Sequence, residues 1–247
     1  VFVERTFGPM VGTMTGLALW ASFLLKSAFA LIGFSAYLMF VQEWVGSDIT
    51  DLEAALGMLA LISIVNVIGI KSVKLFQTPI VALSILMLVV LTIWAVAAGH
   101  ADYSRAVPVL DTRDQWISMG EASAFVLVSY AGVAKVAAIG EEIKDPGRNL
   151  PEGIRTSLVI GTVLYAVLVA TMVAVIPEEG FYDASGHPIE DPVRAFAEKI
   201  GGNEVALLAA VIAILTMTSM ALAGILAASR YLFAMSRDNL LPAPLED

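Results

Sequence analysis

Cysteine is absent from the 247 residues, so disulfides and thiolate–metal sites are excluded and the redox compartment cannot be read. Histidine is nearly absent. His100 and His187 both fall in polar stretches between apolar runs. A serine or metal mechanism of the usual kind needs an imidazole inside the fold. The sequence has no P-loop and no HExxH, and no pair of aspartates within an apolar run. Catalysis is therefore not expected of this chain. Charge is scarce too, at 15% of residues against 58% hydrophobic, with a mean hydropathy of +0.83. An ordinary soluble domain has about 25% charged and about 45–50% apolar residues. The imbalance excludes a disordered chain and a nucleic-acid binder, and points to a protein whose solvent is lipid. No signal peptide precedes the first run, and an opening at Val1 in a polar-to-apolar transition reads as a fragment.

What is abundant is apolar sequence in long runs. A bilayer core takes about 20 apolar residues as a helix. Runs of that kind lie at roughly 11–41, 52–70, 75–98, 117–140, 153–176 and 204–229. Period-two alternation is absent, which argues against a membrane barrel. The expected fold class is an all-α integral membrane protein with six transmembrane helices and both ends cytoplasmic. Lysine and arginine set that orientation. Arg5, Lys71, Lys74, Lys144, Arg148, Arg155, Arg230 and Arg237 gather on one side, and Arg105, Arg113, Arg194 and Lys199 on the other. Most acids fall on the base-poor side, within a formal net charge of −9. That excess reads as a solvated, salt-adapted surface, or as a field that concentrates cations at the outer mouth. In the last outer loop, Asp191-Pro192 followed by Val193, Phe196, Ala197 and Ile200 predicts a short amphipathic helix over about 191–200, a lid or a packed loop.

Several residues sit oddly in lipid. Lys26 is near the middle of the first run and Lys135 is in the inner half of the fourth. A charge at the helix centre costs about 2.5–3.5 kcal/mol on insertion scales. Snorkelling to the interface suits Lys135, which is near the inner polar boundary, but fails for Lys26, which is far from both; the other reading is an aqueous cavity or a partner within the bundle. The stretch Ser129-Tyr130-Ala131-Gly132 loosens the fourth run near its middle. Such a break lines a cavity, supplies backbone groups to a substrate, or merely packs closely on a neighbour. Thr216, Thr218 and Ser219 sit at the centre of the sixth run. They bond back to their own helix, join helices, or serve as oxygen ligands for sodium. Asn66 near the inner end of the second run predicts an interhelical hydrogen bond.

Two inner loops are more specific. One reads Gly140-Glu141-Glu142-Ile143-Lys144-Asp145-Pro146-Gly147-Arg148-Asn149-Leu150-Pro151, the other Ser229-Arg230-Tyr231 through Met235-Ser236-Arg237-Asp238-Asn239. They resemble the loop signatures of the amino acid–polyamine–organocation (APC) superfamily of amino acid permeases. Ser-Tyr-Ala-Gly resembles the break in that family's sixth helix, and Glu4-Arg5-Thr6-Phe7-Gly8-Pro9 looks like the approach to its third. The resemblance covers the whole chain. It implies that the six runs are the family's helices three to eight, part of a leucine-transporter-type five-plus-five inverted repeat.

The same resemblance carries the functional expectations. The function implied is secondary active transport of amino acids or related amines across the cell membrane by alternating access, in a multi-pass protein. Ser129, Tyr130, Ala131, Gly132 and Val133 would line the substrate site, with Tyr130 an aromatic over the substrate. Positions 22–29 would pass near it; Lys26 is unexpected there, and if it faces the pocket it would pair with a substrate carboxylate and favour acidic or neutral solutes over cationic ones. Glu142, Asp145 and Arg148 would help close the inner side, and Arg230 would begin a further inner gating loop. Some family members carry a lysine in the fifth helix where others bind sodium, and here that position holds Ser84. Thr218 and Ser219 would then help hold sodium, or Lys135 would supply the charge. No cofactor is implied beyond Na+ or H+ as a coupling ion. The implied partners are an amino acid or amine, the lipid bilayer and the remaining helices of the full-length chain, with no nucleic acid and no oligomeric state specified. The alternatives are a six-span channel and a non-transporting scaffold or sensor derived from the permease fold.

Overall fold

The structure is a computed structural model that describes residues 6–46, 49–68, 70–106, 112–130, 143–183 and 185–237. Six α-helices dominate the described residues: α1 (Pro9–Val45), α2 (Asp51–Ile68), α3 (Ile70–Ala97), α4 (Arg113–Tyr130), α5 (Pro146–Val175) and α6 (Pro192–Arg237). Among the described residues, four stretches are long and apolar enough to cross a membrane: Pro9–Gln42, Gln77–Ala97, Pro146–Val175 and Pro192–Arg237. Leu52–Val67 is a shorter apolar helix. Continuous helix is what lipid demands, since every backbone N–H and C=O must be bonded internally.

The helix ends obey local chemistry. Gly46 stops α1 in the left-handed region (φ 69°), and its N–H donates to the Gln42 carbonyl at 2.7 Å. Only glycine takes that conformation without a Cβ penalty. Thr50 and Glu53 form a reciprocal cap at the start of α2. The Thr50 N–H donates to Glu53 Oε2 at 3.0 Å, and the Glu53 N–H to Thr50 Oγ1 at 3.4 Å. Pro146 opens α5 at a position where no N–H is needed. The sequence predicts a short helix near 191–200, separate from the run at 204–229. In the structure α6 covers both stretches but is broken between them at Gly202, whose backbone is non-helical (φ 74°, ψ −169°), so two helices meet there at a kink.

The chain divides into two compact units, Val1–Ser84 with Ala210–Asp247, and Ile85–Ala209. In the first, Ala30, Met58, Ile62, Ala221 and Leu222 form a buried cluster with Phe34 and Val65 against it. Gly224 of α6 lies on α1, where an added Cβ would overlap Ser27 Oγ and come within 3.3 Å of the Phe23 carbonyl. Lipid gives helices no hydrophobic drive to associate, so small residues that permit this approach carry the packing. The rings of Phe23 and Tyr231 meet edge-to-face at 5.7 Å.

In the second unit, Phe196, Ala197 and Ile200 are buried with Leu91 and Ala95 of α3 and Leu168, Met172 and Val175 of α5. The connection after α3 is tied to α5: the Asp102 N–H donates to the Ala174 carbonyl at 2.9 Å. Tyr103 also shares a hydroxyl contact with Thr171 at 3.3 Å. A turn beyond α5 is organised by Asp183, whose carboxylate accepts from the Ser185 and His187 N–H groups at 2.8 and 2.9 Å.

Candidate substrate and ion site

Of the predicted break, Ser129 and Tyr130 fall within the described residues, at the end of α4. Ala131, Gly132 and Val133 lie outside them, as do Lys135 and Glu142. Ser129 Oγ donates back to the Phe125 carbonyl at 3.4 Å, a self-contained use of the hydroxyl. Tyr130 reaches across to α5. Its phenol donates to Thr162 Oγ1 at 3.1 Å, and its ring meets Tyr165 edge-to-face at 5.7 Å. Thr162 and Tyr165 are three residues apart and so share one face of α5.

In the other unit, hydroxyls cluster between α3 and α6. Ser84 Oγ lies 2.6 Å from Thr216 Oγ1. Ser84 also contacts the Ile80 carbonyl at 2.8 Å, and Thr216 the Ile212 carbonyl at 2.7 Å. Each hydroxyl has one proton, so two protons serve three contacts, and one contact is always without its hydrogen. Gln77 Nε2 donates to the Ser219 carbonyl at 3.1 Å, one helical turn from Thr216. Thr218, one of the two suggested sodium ligands, bonds the Ile214 carbonyl at 2.7 Å. Ser84 is thus joined to Thr216, a hydroxyl outside the Thr218–Ser219 pair that the family resemblance assigns to the ion.

Two polar groups are buried without a hydrogen-bond partner among the described residues: Lys26 Nζ on α1 and the Asn66 amide on α2. The expected interhelical bond from Asn66 is therefore not found among those residues. Each is one turn beyond a member of the same cluster, Lys26 before Ala30 and Asn66 after Ile62.

Of the inner-loop residues, Asp145 stands in the left-handed region (φ 49°, ψ 61°). Its carbonyl accepts from the N–H groups of Arg148 and Asn149 at 3.1 and 3.0 Å. A short polar side chain tolerates this backbone better than any other except glycine. Arg230 lies on α6, near its end.

An amino acid permease model matches residues 1–245. The chain belongs to the amino acid permease family. A branched-chain amino acid permease of Bacillus subtilis is 30% identical over 260 aligned residues, which take in 99% of this chain and 54% of the relative. The methylthioribose transporter of the same organism is 30% identical over 78% of this chain and 39% of its own length. A vacuolar cationic amino acid transporter of Arabidopsis thaliana is 28% identical over 79% of this chain and 32% of its own. This permease chain spans about half the length of the branched-chain relative. With family and hydropathy together, it is a multi-pass membrane protein. Its named relatives are transporters rather than enzymes.

Tyr130 stands out in the sequence of this permease, but the α5 residues that hold it do not. The signals the sequence offers for them are two hydroxyl-bearing residues, Thr162 and Tyr165, inside an apolar run.

Proposed function

We propose that the full-length protein moves amino acids or related amines across the cell membrane by alternating access. Its six helical runs take the place of the family's third to eighth helices, within a five-plus-five inverted repeat. The observation that carries this is the family match from residue 1 to residue 245, together with 99% coverage by the branched-chain permease. The substrate is held at 129–133, with half-helix ends supplying partial charges to its amine and carboxylate. Lys26 takes a substrate carboxylate. Glu142, Asp145, Arg148 and Arg230 act at the inner gate. The coupling ion is sodium or a proton, served by Thr218, Ser219, Ser84 or Lys135.

The test is uptake by the full-length protein in sealed vesicles, using labelled amino acids and methylthioribose, with and without a sodium gradient. Accumulation above the outside concentration is expected for at least one amino acid. Equilibration without accumulation supports a channel, and binding without uptake supports a scaffold or sensor; either overturns the proposal. In the same assay, sodium dependence that survives a Thr218→Ala/Ser219→Ala double variant removes those hydroxyls from coupling. Lys26→Met is expected to lessen rejection of cationic solutes, and unchanged discrimination would take Lys26 out of the site.

A further inference from the structure

Tyr130 is the last residue of the predicted break that the structure describes, and its ring is held from α5. Its phenol has a single proton, and that proton goes to Thr162 Oγ1 at 3.1 Å. Tyr165, three residues further along α5, meets the same ring edge-to-face at 5.7 Å. Gly161, next to Thr162, lies beside the Tyr130 ring, where an added Cβ would be 3.8 Å away. The ring is therefore fixed by one face of α5 through a hydrogen bond, an aromatic contact and a small residue.

We infer that Thr162 is a positioning residue for substrate: with Tyr165, it fixes the orientation of Tyr130 and so sets affinity for a substrate group that packs on that ring. This rests on the reading that residues 129–133 hold the substrate. The bond determines the chemistry on offer. With its proton committed to Thr162, Tyr130 presents a ring face and phenol lone pairs instead of a donor. A ring face attracts an ammonium group or covers an apolar side chain, and it gives a carboxylate nothing. The site thus suits the amine or an apolar side chain of an amino acid at this point.

The experiment compares wild type with Thr162→Val, Thr162→Ser, Tyr130→Phe and Tyr130→Ala in the full-length permease. Kinetics are taken in vesicles on the best-transported member of a panel of labelled amino acids. A hydrogen bond of ordinary net strength corresponds to about a two- to tenfold change in an equilibrium constant. Thr162→Val is expected to raise KM by that factor with Vmax nearly unchanged. Thr162→Ser, which keeps the hydroxyl, restores the wild-type KM. Tyr130→Phe, which removes the bond from its other end, matches Thr162→Val. If Tyr130→Ala moves KM but neither Thr162→Val nor Tyr130→Phe does, the inference falls and the substrate site stands. A loss of Vmax alone in Thr162→Val also overturns it. If Tyr130→Ala leaves KM unmoved, or wild type transports no amino acid, the site reading falls and the inference with it. Should Thr162→Val fail to fold, Tyr130→Phe alone decides.

Discussion

At Ser84 and Thr216 the physics is a matter of counting protons. Three short oxygen contacts compete for two hydrogens. Removing either hydroxyl abolishes the shared contact and frees the survivor to bond its own helix carbonyl. Thr216→Val and Ser84→Ala should each lower stability by about 0.5–1.5 kcal/mol. The double variant should lose less than the sum, with a coupling of about 0.6 kcal/mol, as is usual for hydrogen bonds between membrane helices. A double-mutant cycle on thermal unfolding in detergent measures this, and strict additivity would remove the pair as an interaction. The hydroxyls themselves were legible as polar groups in an apolar run. Their pairing was not, since it depends on which face α3 turns toward α6.

Among the elements, the contrast between Gly224 and Gly16 gives a test of close packing. An alanine at 224 meets Ser27 Oγ and the Phe23 backbone carbonyl, and backbone cannot step aside. An alanine at 16 meets the end of Met235, a flexible thioether. Gly224→Ala should therefore cost about 1–3 kcal/mol and Gly16→Ala much less, read from melting temperatures of the two variants. The start of α5 offers a second case. Asp145 holds a left-handed backbone directly before Pro146. A β-branched residue is least suited to that conformation, so Asp145→Val should lose about 1–2 kcal/mol, while Asp145→Gly should be neutral or stabilising. Unfolding in detergent again decides, and equal stability of the two would refute the backbone argument. Helical character was legible because composition and run length force it in lipid. The left-handed residue was not, because Asp-Pro ordinarily predicts extended backbone at the aspartate.

At the scale of the molecule, the apolar excess and the two inner-loop signatures carried most of what was legible. The former reflects the solvent and the latter the family, and the match over residues 1–245 bears both out. The candidate site was less legible. Tyr130 stood out as a polar aromatic beside Gly132, but its anchor on α5 is about thirty positions away in sequence, beyond any local pattern. The polar loops bring a pH dependence. Hydrogen bonds from Ser104 hold the Asp102 carboxyl below its ordinary range, and the His187 N–H does the same at Asp183. A depressed carboxylate favours the folded loop at pH above the ordinary carboxylate range. That contribution fades as pH falls through the lowered value. Amide exchange at Ser104, Ser185 and His187 should thus be slow near neutrality, relative to free peptide, and lose protection in acid. Protection unchanged down to the acid limit would show that these carboxylates do not organise the turns.

The bend at Gly202 also acts as a depth gauge. A straight helix of 46 residues would extend about 69 Å, whereas a bilayer with its headgroups is about 40–45 Å thick. The surplus must leave the bilayer axis somewhere, and the backbone turns at this glycine. The ten residues from Pro192 to Gly201 are thereby set at an angle to the helix beyond the bend. Lys199 and Glu198 are both exposed on that segment. A spin label at either position would report headgroup depth, and one at Leu208, exposed beyond the bend, would report the acyl chains.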